Sequence, residues 1–380
     1  SSLVVHMFFL FFFFISPLVH SRLELLHIQG IWRHGERAPA FGSIHEDEHV
    51  FRAGMGKLTD AGESDSVKIG KFIRNEYIVK HKVLPETYKE DTMHFRSVNV
   101  QRCIRTAQLV FKGMYGDCKK EIPIEYPPKG TIDYMLGTGW FMCPAFTKAF
   151  QQSCPSFPET DTIKKFTDFE KIAFGCSNAS ELTTKYSTFD NYLNAETDLA
   201  REHAGGYLDK NHTRNEADQA LNISVYVWAY ETGVGQFHNP ELNKGYAGYL
   251  FDTIVKNMKN AWECMKGDRL DNCTNVKFHG ISTQDYIMNV LLEIMGTNTR
   301  YFALSPYTYV RYNCLLLAEL WVDGDKPKVR LLYRSDPESK AKSITHLVNR
   351  CNGEEFCDLD EFSGCCEART EEPWKECQKK

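Results

Sequence analysis

Apolar runs that end in charged or polar residues alternate along the chain with stretches whose apolar positions recur every three or four residues. Three runs have the first form. "LELLHIQGIW" (23–32) leads into Arg33-His34-Gly35, "TMHF" (92–95) into Arg96-Ser97, and "VKFHGIS" (276–282) into Thr283-Gln284-Asp285. Short runs of this kind predict buried strands. Helical spacing follows each one. Ile69, Phe72, Ile73 and Tyr77 follow the first, Ile104, Ala107, Phe111 and Met114 the second, and Ile287, Val290, Leu291 and Ile294 the third, with Gly296 as a stop. Strands alternating with helices predict an α/β sheet, whose ligands gather outside the carboxyl ends of its strands. The three polar termini are then expected to converge on one crevice.

Two other segments complete the pattern. Residues 120–265 are mostly of helical type and read as an insertion between the second and third sheet elements. "NCLLLAELWVDGDKPKVRLLYRSD" (313–336) reads as a closing hairpin around Asp323-Gly324. The expected division is an α/β core of residues 22–119 plus 266–380, with 120–265 as a helical cap. With 380 residues, 42% of them apolar, the chain can bury a sizeable core. Its formal net charge of −5 leaves no strong field, which argues against non-specific nucleic-acid binding.

The N-terminal stretch "MFFLFFFFISPLVHS" begins at Met7 and is apolar for about a dozen residues, too short to span a bilayer. It fits a secretory signal over residues 1–21, with cleavage after Ser21 and residues 1–6 as leader upstream of Met7. No later stretch reads as a membrane anchor, so a secreted, soluble product is expected. Thirteen cysteines agree with an oxidising compartment, and the odd total leaves at least one thiol unpaired or joined to another chain. Glycosylation acceptors of the form N-x-S/T stand at Asn178, Asn211, Asn222 and Asn272. The irregular cluster Cys351, Cys357, Cys365, Cys366 and Cys377 favours disulfides over zinc. Cys264 and Cys273 are near enough in sequence to close a local loop, and Cys103 lies on the inward pattern of its helix as a candidate free thiol.

Two histidine motifs compete for the chemistry. His45-Glu46-Asp47-Glu48-His49 matches HExxH, but a zinc protease needs that motif on a helix with a third ligand. Here it sits in a polar, aperiodic stretch, so no metal is expected. Arg33-His34-Gly35-Glu36-Arg37 places a histidine between two guanidinium groups. Taken alone it is also compatible with a charged turn after a strand. Its functional reading is phosphate handling, because phosphoryl transfer spreads charge over oxygens that arginine forks match.

The ordered set of motifs resembles the histidine acid phosphatase branch of the histidine phosphatase superfamily. The resemblance rests on RHGxRxP (Arg33, His34, Gly35, Arg37, Pro39), on "GKLTDAG" at 56–62, and on "FRSVNVQRCIRTA" at 95–107 as an RSxxxR element. It continues through Cys143-Pro144, the strand before Asp285, the hairpin and the terminal cysteines. It implies a mixed, mostly parallel sheet flanked by helices, with a helical cap that narrows substrate choice. It also implies covalent catalysis without metal or other cofactor on a small phosphate monoester. His34 would be the nucleophile and Asp285 the proton donor, with Arg33, Arg37 and Arg96 holding phosphoryl oxygens. Asp285 equally suits a helix N-cap. The implied disulfides are Cys143–Cys377, Cys176–Cys314 and Cys351–Cys357, and a homodimer is left open.

One departure stands out. The family's His-Asp pair is Gln284-Asp285 here. An amide N–H from Gln284 is expected to contact phosphate without carrying charge. A histidine restored at position 284 is then expected to raise activity, most clearly at acidic pH. The expected function is a secreted acid phosphatase acting through His34. The alternatives are a phosphatase specialised for inositol phosphates or lysophospholipids, and a non-catalytic binding or antigenic protein of the same fold.

Overall fold

The structure is a computed structural model and describes residues 23–38, 51–116, 122–152, 229–267, 273–297, 310–366 and 377. The candidate signal, the HExxH motif, all four glycosylation acceptors and Cys176 lie outside these residues.

The expected strands and helices form. β1 (Glu24–Arg33), β2 (Met93–Ser97) and β4 (Phe278–Thr283) are the three apolar runs, and β3 (Ile124–Glu125) is a two-residue addition. The hairpin is β5 (Leu315–Asp323) and β6 (Lys326–Arg334), followed by the short β7 (Lys342–Ser343) and β8 (Cys357–Asp358). The sheet order is β3-β2-β4-β1-β5-β6-β7, with β8 paired to β6. β3, β2, β4 and β1 run parallel to one another, and β5 joins β1 antiparallel. β1 and β4 are buried almost throughout because both of their faces are covered.

One face carries α1 (Asp60–Ile73), extended by a π-helical turn at Arg74–Lys80, and α2 (Gln101–Tyr115). Ile69, Ile73, Val110 and Met114 from these helices pack on Ile28, Trp32, Phe95 and Phe278 of the strands. The other face carries α3 (Pro144–Gln152), α4 (Tyr249–Lys266) and α5 (Asp285–Ile294). There Leu250, Phe251 and Ile254 of α4 meet Ile31 and Ile281 of the sheet and Leu291 of α5 in one core. A side chain buried to that degree contributes about 1.5–3 kcal/mol. The 120–265 segment reaches into the sheet's own helical layer at its C-terminal end, where α4 packs. Its apolar stripe packs on β1, where Gln29 donates to the Ile254 carbonyl at 2.8 Å.

Three of the cysteine pairings form: Cys143–Cys377, Cys264–Cys273 and Cys351–Cys357. The adjacent Cys365 and Cys366 are also bonded to each other. The pairing of Cys314 with Cys176 does not form. Cys314 is a free thiol sealed in the core immediately before β5, where burial pushes it up to about 11. Cys103 is likewise free and buried, and is pushed up to about 12.

Candidate active site

The crevice opens where β1 and β4 end side by side, with Arg33 in register with Thr283. His34 is the next residue, and its main chain is fixed from both sides. Its N–H donates to the Thr283 carbonyl at 3.1 Å, and its carbonyl accepts from Asn313 N–H at 3.2 Å. The chain then turns under the first turn of α1. A Cβ on Gly35 would stand 2.6 Å from the Gly62 carbonyl, and one on Gly62 would stand 2.1 Å from the Glu36 carbonyl. Only glycine allows two backbones to cross this closely. Thr59 caps α1 by accepting from Gly62 N–H at 3.0 Å, and its hydroxyl donates to Glu36 Oε1 at 2.8 Å. The "GKLTDAG" stretch is thus the seat on which the His34 loop rests.

The imidazole is buried and oriented. Nδ1 lies 2.8 Å from the Gly35 carbonyl, which can only accept, so Nδ1 carries the proton. Nε2 accepts the Nε–H of Arg102 at 3.0 Å, so its one lone pair faces that guanidinium. Burial holds the His34 pKa well below its ordinary value, and the charges of Arg33 and Arg102 lower it further. Both causes favour the neutral ring.

Arg33 reaches Asp285 at 2.6 Å and the Val310 carbonyl at 2.7 Å, with its guanidinium 4.0 Å from the centre of the Tyr312 ring. Asp285 is the first residue of α5 and accepts from Tyr286 N–H at 2.9 Å, while the N-cap position belongs to Gln284. Arg37 leaves the loop beside Leu58, donates to the Ala38 carbonyl at 3.1 Å, and adds its charge to the field on Arg102. Arg33, His34, Arg37, Gln284 and Asp285 are brought together as the sequence suggests.

Arg96 is not part of that group, which corrects the sequence reading. It is still inside β2, in register with Glu125 of β3, and it pairs with that carboxylate and with Asp133 at 2.8 Å. The third arginine of the crevice is Arg102, six residues later. It stands in the first turn of α2, whose Thr106 accepts from Gly35 N–H at 3.1 Å and donates to the Arg102 carbonyl at 2.8 Å. The 95–107 stretch contains both arginines, with four residues between Ser97 and Arg102, and helix position would have chosen between them. The N-terminal turn of a helix aimed at a strand end is where an anion is drawn. Gln284 also departs from expectation. Its carbonyl oxygen accepts from Arg102 at 2.6 Å, and its amide nitrogen lies 3.5 Å from the Tyr286 hydroxyl.

The chain is similar to known proteins in sequence and in fold. The prostatic acid phosphatase of Homo sapiens is 27% identical over 380 residues, spanning 96% of this chain and 90% of its own. Among solved structures, the Hafnia alvei phytase in complex with myo-inositol hexakis sulphate superposes with a TM-score of 0.62 at 17% identity, covering 92% of this chain and 98% of its own. The Bifidobacterium longum multiple inositol polyphosphate phosphatase gives 0.57 at 12% identity, covering 92% and 93%. These two likenesses concern the fold. Residues 24–334 match the histidine phosphatase superfamily (branch 2), and the chain belongs to that family and is a phosphatase.

Proposed function

We propose that the chain hydrolyses phosphate monoesters through a phosphohistidine on His34. The observation that carries this reading is the neutral imidazole whose Nε2 lone pair is set by the Gly35 carbonyl on one side and Arg102 on the other. In the first half-reaction Nε2 attacks phosphorus and the ester P–O bond breaks. The acid form of Asp285 gives its proton to the leaving alkoxide. In the second, the Asp285 carboxylate takes a proton from water as the water oxygen attacks phosphorus. The P–N bond breaks, its electron pair returns to Nε2, and inorganic phosphate is released. Arg33, Arg37 and Arg102 supply the positive charge that the phosphoryl oxygens need, and Arg102 passes its Nε–H from Nε2 to a phosphoryl oxygen as the ester binds, which frees the lone pair for attack.

Secretion is part of the reading. It is supported by the apolar stretch after Met7 and by disulfides that persist only in an oxidising compartment. Inositol phosphates are a second substrate class to test, on the strength of the fold shared with phytases.

The test is turnover of an aryl phosphate and of inositol phosphates by the purified protein from acidic to neutral pH. It is paired with trapping of labelled phosphate in an alkaline quench. Label on His34 is expected, because phosphoramidates survive alkali and not acid. Label on serine or cysteine would overturn the mechanism, and absence of all turnover would favour a binding protein of this fold.

A further inference from the structure

The chain enters β5 through a tight turn over 311–314, in which the Cys314 N–H donates to the Arg311 carbonyl at 3.2 Å. Asn313 stands in the left-handed region at a φ of +57°, which costs free energy in residues other than glycine, least in asparagine. The turn is pinned to the His34 loop, to α1 and to β1. Asn313 N–H donates to the His34 carbonyl at 3.2 Å, its Nδ2 donates to Ser66 Oγ of α1 at 2.9 Å, and the Cys314 carbonyl accepts from Arg33 N–H at 3.3 Å. Between these anchors Tyr312 is half-buried, with its ring 4.0 Å from the Arg33 guanidinium and 5.7 Å from the His34 ring.

We propose that Tyr312 is a positioning residue for Arg33, its ring covering one face of the guanidinium and fixing the plane in which Arg33 meets phosphate. The inference rests on the phosphatase reading of the crevice. Arg33 Nη1 donates to the Val310 carbonyl, and Nη2 meets Asp285. Both contacts lie at the edge of the guanidinium, so they leave it able to tilt about the line that joins them. A tilt would swing that edge away from the oxygens of a bound ester. A ring on the face stops the motion on one side, and the negative π surface of an aromatic attracts the cation it covers. The ring also keeps water from that face, and a charge with less water around it acts more strongly on phosphate. An aliphatic side chain of similar size fills the same space without attracting the cation. The strained turn at Asn313 reverses the chain beside the end of β1, and Tyr312 is thereby held over Arg33.

The experiment compares the full chain with Tyr312→Phe and Tyr312→Leu, each alone and combined with Arg33→Ala. It measures affinity for inorganic phosphate by calorimetry and kcat/KM on an aryl phosphate. Tyr312→Leu is expected to lose about tenfold in both, the size of a partly desolvated cation–π contact. Tyr312→Phe keeps the ring and should stay within about threefold of the parent. In the Arg33→Ala background the Leu substitution should cost less than about twofold in kcat/KM, because a residue that acts through Arg33 has nothing left to position. Parent-like behaviour of Tyr312→Leu overturns the proposal. So does a Tyr312→Phe loss as large as that of Tyr312→Leu, which would assign the effect to the hydroxyl. A loss of about tenfold that persists without Arg33 overturns it as well, since packing alone would produce that result. A parent that binds phosphate without turnover defeats the catalytic reading while the phosphate affinity of Tyr312→Leu still decides this one, and a parent that binds none defeats both. If Tyr312→Leu fails to fold, Tyr312→Gln, which also lacks a ring, decides by the same measurements.

Discussion

β1 and β4 bury histidines at both ends and use them differently. At the amino end, His27 and His279 lie ring to ring at 5.2 Å, with His94 of β2 5.4 Å from His279. Burial lowers His27 to about 4. Burial, helped by the charges of His27 and His94, lowers His279 to about 3. At the carboxyl end His34 is buried as deeply and is also held well below its ordinary value, but there Arg33 and Arg102 join the burial. Low dielectric surroundings make any imidazole neutral. A nucleophile also needs its lone pair aimed and cations waiting where charge will develop, and only the second end has both.

The largest effect expected is at that second end. His34→Ala should abolish aryl phosphate hydrolysis, while His27→Leu should retain it. Loss of activity in both, with both folded, would break the distinction between the ends. Next, Arg102→Ala should lower kcat by roughly 10²–10³, the usual consequence of removing one transition-state donor. Arg96→Ala should change kcat by less than about tenfold and instead lower stability by about 3 kcal/mol, because it strands the buried Asp133 carboxylate. Steady-state kinetics and urea unfolding of the two variants separate these outcomes.

A smaller effect sharpens the amino end. The folded-state values of His27 and His279 lie below the ordinary 6.5, so the unfolded chain binds more protons as the pH falls. Their burial adds no pH-dependent cost above about pH 6.5, and stability declines as pH drops towards 4 and then 3. Each histidine adds about 1.4 kcal/mol per pH unit across its window. Urea unfolding at pH 7 and pH 5 should show the slope, and His27→Leu should flatten it. An unflattened slope would place the acid sensitivity elsewhere. The smallest effect is none at all: His45→Ala with His49→Ala should leave turnover and its insensitivity to chelator unchanged.

Much of this was legible in the sequence, because strand ends and helix starts are local events. Arg33-His34-Gly35 follows a buried run, Thr59 and Gly62 have the chemistry of a cap and a close crossing, and Asp285 opens an apolar helix. Arg96 was misread for a reason of register. β3 is two residues long and has no apolar pattern of its own, so no local signal puts Glu125 opposite Arg96. Cys314 was misread because a core thiol and a disulfide half look alike until the packing around Tyr333 and β5 is known. The direction of the Gln284 amide is set by Arg102 and Tyr286, which approach it from different elements, and composition does not encode that.

The bond between Cys143 and Cys377 spans 234 residues and has a consequence for durability. His34 and Arg102 lie before the closed loop, whereas Gln284 and Asp285 lie within it. A protease that cuts once between Cys143 and Gln284 makes two fragments, one with the nucleophile and one with the proton donor, and the sulfur bridge keeps them on a single tether. Such nicked enzyme should migrate as one species until a reductant is added. Its halves should stay close enough to re-form the crevice, so a first cut need not end its working life.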